Sequence, residues 1–182
     1  MTPPRYSHDP LDAWVSETSK RALGYAVTLT RNYEDAEDVV HDCYRRLLAK
    51  GNEYDLLRDG TKLLFRSITN ACISLSQRRP AESSLNQLER AGGRDRQALA
   101  DPRTAEPVQR AILHELEDAV AEAMSELPLT QRAAIELRSL GHTLVEVAEM
   151  LDVSHANARV ILHRARVAMA ARLEPFIEDN KS

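Results

Sequence analysis

Between Ala81 and Pro107 the chain loses its apolar periodicity, and this interruption limits most what the sequence can fold into. The stretch holds Gly92-Gly93, Pro102 and Pro107 among several Ser, Asn and Gln, and seven arginines fall from Arg78 through Arg110. A polar segment of this size reads as a linker, with one weak helix expected near Ser84 to Arg90. Two small units therefore flank it: residues 10–79 before, residues 109–175 after, and a flexible connection over 80–108. Hydrophobic residues make up 43% of the 182-residue chain, enough for packed cores. Aromatics are only 4%, and the apolar content is mostly Ala, Leu and Val, so the expected fold class is all-α and a sandwich or barrel is disfavoured.

Helical spacing fills both flanks. Asp9-Pro10 starts a first helix, with Asp as N-cap and Pro at the first helical position, and Leu11, Trp14, Val15, Thr18, Ala22, Tyr25, Ala26 and Leu29 share a face to about Thr30. A second helix follows Asn32, with Ala36, Val39, Val40, Cys43, Tyr44, Leu47 and Leu48 in one stripe, and Gly51 ends it. Asn52 to Gly60 reads as a loop. A third helix from Thr61 turns Leu64, Phe65, Ile68, Ala71, Cys72 and Leu75 inward, with Pro80 closing the unit. Past the linker, Val108, Ile112, Leu116, Ala119, Val120, Ala123 and Met124 form another face, ending near Leu127-Pro128, and a helix spans about Thr130 to Leu140.

The end of the chain is the most specific region. Gly141 supplies a helix C-terminus, and Thr143-Leu-Val-Glu146 is a capping box opening a short helix that runs to Leu151. Asp152-Val153 makes the turn and Ser154 caps a last helix, in which Ala158, Ile161, Leu162, Ala165 and Met169 are the buried stripe. This is a helix-turn-helix, whose second helix enters the DNA major groove with its N-terminal residues leading. From Ser154 to Leu173 the charges are Arg159, Arg164, Arg166 and Arg172, with His155 and His163 beside them and no carboxylate until Glu174. Arginines on such a face meet phosphates, while Ser154, His155, Asn157 and Arg159 lie early enough to reach base edges. A solvated amphipathic helix accounts for the charge pattern equally well; the capped helix and turn before it favour DNA.

The second helix has the opposite charge. Glu34, Asp35, Glu37, Asp38 and Asp42 crowd its first half, with Arg45 and Arg46 later. Acidic residues at a helix N-terminus complement the macrodipole without any function; a protein partner is the sharper alternative, and phosphate contact is disfavoured by the carboxylates. The whole chain carries 24 Lys and Arg against 28 Asp and Glu, a formal charge of −4, so it is not built to coat nucleic acid by itself. Cys43 and Cys72 are too few for a disulfide framework, lie in no ligand spacing, and fit a reducing compartment as small buried hydrophobes. Histidines 8, 114 and 142 read as scattered surface residues. No apolar run approaches the roughly 18 residues of a membrane span, no signal pattern occupies Met1 to Pro10, and a soluble, cytoplasmic protein is expected. There is no P-loop, dinucleotide turn or nucleophile motif, so no enzyme activity, metal or cofactor is expected.

The stretches Asp35-Ala-Glu-Asp-Val-Val-His-Asp42, Leu64-Phe-Arg-Ser-Ile-Thr-Asn70 and Leu127-Pro-Leu-Thr-Gln-Arg132 together resemble bacterial sigma factors. Leu144-Val-Glu-Val-Ala-Glu-Met-Leu-Asp-Val-Ser154, followed by Leu162-His-Arg-Ala-Arg166, is similar to the promoter-reading helix-turn-helix of the extracytoplasmic-function (ECF) branch of the sigma-70 family. The resemblance covers about Leu11 to Arg79 and Leu113 to Leu173. It implies a region-two domain, a region-four domain, and core RNA polymerase as partner through its β′ clamp helices and β flap, along with promoter DNA and an anti-sigma factor. The acidic second helix would dock on the clamp helices, with Asp35, Asp38, His41 and Asp42 in the matching positions; His41 and Asp42 depart from the usual Gln and Glu. Tyr54, Arg66, Asn70, Arg78 and Arg79 are candidates for opening and holding the minus-ten element. Many relatives have Trp where Leu63 stands, and Tyr54 is the candidate substitute as a stacking platform. Ser154, His155, Asn157, Arg159, His163, Arg164 and Arg166 would read the minus-thirty-five element. Two other functions are compatible with these residues: a sigma mimic that occupies an anti-sigma partner, and a stand-alone helix-turn-helix regulator.

Overall fold

The computed structural model of the chain describes residues 10–51, 53–78 and 107–179. Within them it contains seven helices and no strand: α1 (Pro10–Thr30), α2 (Tyr33–Ala49), α3 (Leu56–Arg78), α4 (Pro107–Glu126), α5 (Leu129–Ser139), α6 (Leu144–Leu151) and α7 (His155–Asp179). The weak helix expected over Ser84 to Arg90, the Asp9 cap and Arg79 lie outside the described residues.

The largest departure from the sequence expectation is at the start of α3. The segment Asn52 to Gly60 is not a loop throughout, because Asp55 opens the helix: its Oδ1 accepts from the Arg58 N–H at 3.2 Å and its carbonyl from the Asp59 N–H at 2.8 Å. Gly60 is helical and fully covered. A Cβ there would stand 2.9 Å from Cζ2 of Trp14, so this glycine allows α1 and α3 to approach closely rather than ending anything.

Within the first three helices, two matched polar pairs are sealed in an apolar core. Thr18 donates to the Trp14 carbonyl at 2.7 Å, which leaves its oxygen to accept from the Tyr44 hydroxyl at 2.6 Å. Thr69 likewise donates to the Phe65 carbonyl at 2.8 Å and accepts from Tyr25 at 2.7 Å. Each buried phenol thus meets a threonine already committed to its own helix, and no hydroxyl is stranded. Burial pushes the Tyr25 phenol well above its ordinary range, with the Thr69 hydrogen bond opposing. Leu64, Phe65 and Ile68 are fully buried, as their spacing suggests. Cys43 and Cys72 are buried free thiols.

The two halves are packed face to face. Leu64, Phe65 and Ile68 of α3 belong to the same continuous buried cluster as Leu137 of α5 and Val147 and Met150 of α6. A smaller cluster of Met124, Leu127 and Ala165 joins α4 to α7. Three arginines cross between the halves to backbone carbonyls: Arg21 to Leu140 at 3.0 Å, Arg31 to Ser125 at 3.4 Å and Arg132 to Thr28 at 3.5 Å. His142 also corrects the sequence expectation. It is half-buried, its ring standing edge-on to Phe65 at 5.4 Å. No described helix is long and apolar enough to cross a membrane.

Candidate nucleic-acid interface

Local chemistry builds the helix-turn-helix. At the end of α5, the Gly141 N–H bonds the Arg138 carbonyl at 3.1 Å and the His142 N–H bonds the Leu137 carbonyl at 3.2 Å. This is a Schellman closure around Gly141, whose φ is +92°. The capping box follows. The Glu146 N–H donates to Oγ1 of Thr143 at 3.3 Å, and the Thr143 N–H donates to Oε2 of Glu146 at 2.8 Å. These bonds hold the Glu146 carboxyl below its usual range. A second Schellman closure ends α6, with Val153 bonded to Ala148 at 3.0 Å and Asp152 to Glu149 at 3.3 Å. Asp152 takes the left-handed position at φ +56°, which Asp tolerates better than most residues. Ser154 then accepts from the Asn157 N–H at 3.2 Å and opens α7.

All seven residues expected on the recognition helix, Ser154, His155, Asn157, Arg159, His163, Arg164 and Arg166, are exposed. Their arrangement is more structured than a single basic face. At about 100° per residue, His155, Arg159, His163 and Arg166 form one stripe, and Asn157 and Arg164 form a second flank roughly 150° around the helix. Ala156, Val160 and Val167 lie between the flanks, the valines 44% and 55% exposed. A small apolar strip between polar flanks is suited to thymine methyl groups in a major groove; the focus on charge in the sequence overlooked it. Arg172 pairs with Glu126 of α4 instead, so its charge locks the helix pair rather than facing a ligand.

The residues expected at the minus-ten element do not form one cluster. Arg66 and Asn70 are exposed on α3 one turn apart. Arg78 is a further two turns along, about 12 Å beyond Asn70 at 1.5 Å rise per residue. Tyr54, 42% exposed, precedes the helix at its opposite end, where the first helical residue, Leu56, is already about 15 Å of rise from Arg66. Arg66 is already engaged: its Nη2 lies 2.6 Å from Oδ1 of Asp152, in the turn of the helix-turn-helix. Lys62, one turn earlier, reaches Glu149 of α6 at 3.2 Å. An open cleft of about 540 Å³ lies beside these contacts, lined by Arg66, Val145, Glu149, Asp152 and His155 among others.

On α2 the Asn32 side chain accepts from the Asp35 N–H at 3.1 Å and fixes the start. Asp38 and His41 are exposed on its outer face, while Asp35 and Asp42 are half-buried. Arg45 and Arg46 both pair with Asp42, and Arg45 foremost holds that carboxyl below its usual range. The negative patch is therefore centred on Asp38 and its neighbours Glu34 and Glu37 more than on Asp42.

Residues 117–169 match the family model for sigma-70, region 4. The span runs from the middle of α4 through the basic part of α7, so the match falls on the helix-turn-helix and its support; a sigma-70 type of DNA-reading module defines the class. Along most of its length the chain is similar to the ECF RNA polymerase sigma factor SigW of Bacillus subtilis (strain 168), at 24% identity over 147 residues covering 78% of this chain and 77% of that one. Its fold matches the sigma factor RpoE solved in complex with the anti-sigma factor NepR from Bartonella quintana, with a TM-score of 0.65 and 18% identity, over 90% of this chain and 96% of that chain. Residues 117–169 are thus a sigma-70 region 4 module, and the chain as a whole is similar to an ECF sigma factor in sequence and to a sigma factor in fold.

Proposed function

We propose that this protein directs core RNA polymerase to particular promoters, residues 10–79 and 109–175 acting as separate contact modules joined through 80–108. The α2 face around Asp35, Asp38, His41 and Asp42 docks on the β′ clamp helices; a second attachment is to the β flap. Arg66, Asn70, Arg78, Arg79 and Tyr54 serve the minus-ten element. The N-terminal part of α7 reads the minus-thirty-five element, with Arg159 and Asn157 at base edges and Arg164 and Arg166 on phosphates. The chain acts as an initiation factor with no chemical step of its own. An anti-sigma protein is a further partner, by analogy with the matched RpoE complex.

One observation supports this most: a capped helix-turn-helix whose second helix exposes two polar flanks around a small apolar strip, on a chain of net charge −4. Such a chain has attraction at one face offset by repulsion elsewhere, so tight promoter binding requires a second attachment. Polymerase supplies it. The test is initiation: purified chain plus core polymerase should give transcripts from a defined start, and Arg159→Ala should cost about 1–3 kcal/mol of discrimination at one base pair, about 5- to 150-fold. Operator binding without polymerase would instead identify a stand-alone regulator, and transcripts with unchanged promoter choice in Arg159→Ala would refute the base contact.

A further inference from the structure

We infer that α7 reads the 5-methyl group of pyrimidines, at Val160 foremost, so that methylation of cytosine in the minus-thirty-five element changes which promoters the chain selects. This rests on the sigma reading above and deepens it, naming the chemical group that the outermost line of the recognition helix takes.

The buried stripe fixes where that line runs. Ala158, Leu162 and Ala165 are buried on one side of α7. At about 100° per residue, Ala156, Val160 and Val167 all fall within about 30° of the line directly opposite. Ala156 is exposed, and the valines are 44% and 55% exposed. Valine is a poorer helix former than Ala, Leu, Lys or Arg, and on this side it adds little to the core. Stability of the fold therefore gives no reason for two valines on one outward line, and contact with a ligand does.

The shape of the ligand follows from the flanks. A helix about 10–12 Å across fills a major groove about 12 Å wide. With the buried stripe turned away from the duplex, the polar flanks of Arg159, Arg164 and Arg166 meet the walls and the apolar line meets the floor. Charge commits the face to DNA rather than to a protein, because no carboxylate occurs from Ser154 to Leu173.

Base edges on that floor present hydrogen-bond donors and acceptors and one kind of apolar group, the methyl at C5 of thymine. 5-Methylcytosine carries the same methyl at the same atom. A valine set against an oxygen or amino group takes away its water and returns no bond, so the line rewards a methyl and penalises its absence. The amino group of cytosine is bonded by Asp or Glu where it is read directly. Unmethylated cytosine thus offers α7 neither a methyl to cover nor a carboxylate to bond. Ala156 and Val160 lie in the leading turns, about 6 Å of rise apart, with Val167 about 10 Å further along; Val160 is the larger side chain of the leading pair.

The test uses synthetic promoter templates with a randomised minus-thirty-five element and a transcribed barcode. One pool carries thymine in the element, a second uracil in its place, and a third 5-methylcytosine in place of cytosine. Core polymerase with the full chain transcribes each pool, and the barcodes are counted. At one base pair or more, thymine should be selected over uracil, and 5-methylcytosine over cytosine, by about fourfold, the factor for covering one methyl. Val160→Ser, a change on the exposed side of the helix, should bring both ratios close to one. Ratios of one throughout in the wild type overturn the inference, as do ratios that Val160→Ser leaves unchanged. Transcripts with ratios of one refute the inference alone; a wild type that yields no transcript from the thymine pool refutes the sigma reading, and the inference falls with it.

Discussion

Gly24 and Gly60 sit inside helices, and the structure assigns opposite outcomes to the same substitution at each. In Gly24→Ala the new methyl meets nothing within 4 Å, so only the backbone matters, and α1 should gain about 0.8–1.0 kcal/mol from the better helix former. In Gly60→Ala the methyl would lie 2.9 Å from Cζ2 and 3.1 Å from Cε2 of Trp14. That ring cannot swing aside cheaply. It is 7% exposed, its Nε1 donates to Thr61 at 3.3 Å, and Tyr44 stands edge-on to it at 5.5 Å. Overpacking of this kind costs about 1–3 kcal/mol. The propensity gain is common to both variants, so Gly60→Ala should fall below Gly24→Ala by about the steric cost alone, 1–3 kcal/mol. Urea midpoints at equal m-values measure the difference, and Trp14, the only tryptophan, reports the displaced ring by its emission. Gly60→Ala stabilising the protein as much as Gly24→Ala would refute the close-approach argument, and with it the account of how α3 is set against α1.

Three further outcomes follow from the site and its support. Burial holds the His142 imidazole below its ordinary value, with Arg21 and Lys62 acting in the same direction and Glu146 opposing. The unfolded chain therefore binds the proton more readily, and stability should fall as pH drops below about 6.5; His142→Gln should flatten that slope in urea titrations at pH 5 and pH 7.5, and an unaltered slope would count against the assignment. Burial pushes the Cys43 and Cys72 thiols up to about 11 and about 12, so at pH 8 neither should react with a disulfide reagent in the folded chain while both react in urea; fast labelling of native protein would contradict their burial. Val160→Ser, which removes the centre of the apolar strip on α7, should weaken preference for a thymine-containing minus-thirty-five element and leave polymerase binding unchanged, as read by promoter competition; unaltered preference would leave the strip without a role in readout.

What the sequence revealed was mostly local. The capping box at Thr143 and Glu146, the glycine closure at Gly141 and the Ser154 cap are each settled within four or five residues, so residue type and spacing suffice to place the helix-turn-helix. Exposure of the α7 site residues follows from a 3.6-residue period in the same way. Long-range partners were hidden. Gly60 looked like a loop residue because its reason for being glycine is Trp14, 46 positions earlier, and the Asp55 cap was passed over with it. His142 looked like a surface histidine because Phe65 lies on another helix in the other half. The division of the minus-ten candidates along α3, and the engagement of Arg66 by Asp152, likewise depend on packing that no window of sequence displays.

The crossing arginines show why the packing of the halves was invisible while their charges were not. Arg31 and Arg132 each reach the last turns of a helix in the opposite half, at Ser125 and Thr28, and Arg21 reaches Leu140 just past the end of α5. The carboxyl end of a helix presents unpaired carbonyls and about half a negative charge. It is an acceptor that every sequence supplies and none advertises. Burial and the nearby Arg31 push the Arg132 guanidinium down to about 10, still protonated at neutral pH, so the charge persists where no carboxylate marks a partner. These three bonds end on backbone acceptors, while Glu34, Glu37 and Asp38 remain exposed on α2. The packed arrangement therefore presents the proposed polymerase-docking face, around Asp38, to solvent.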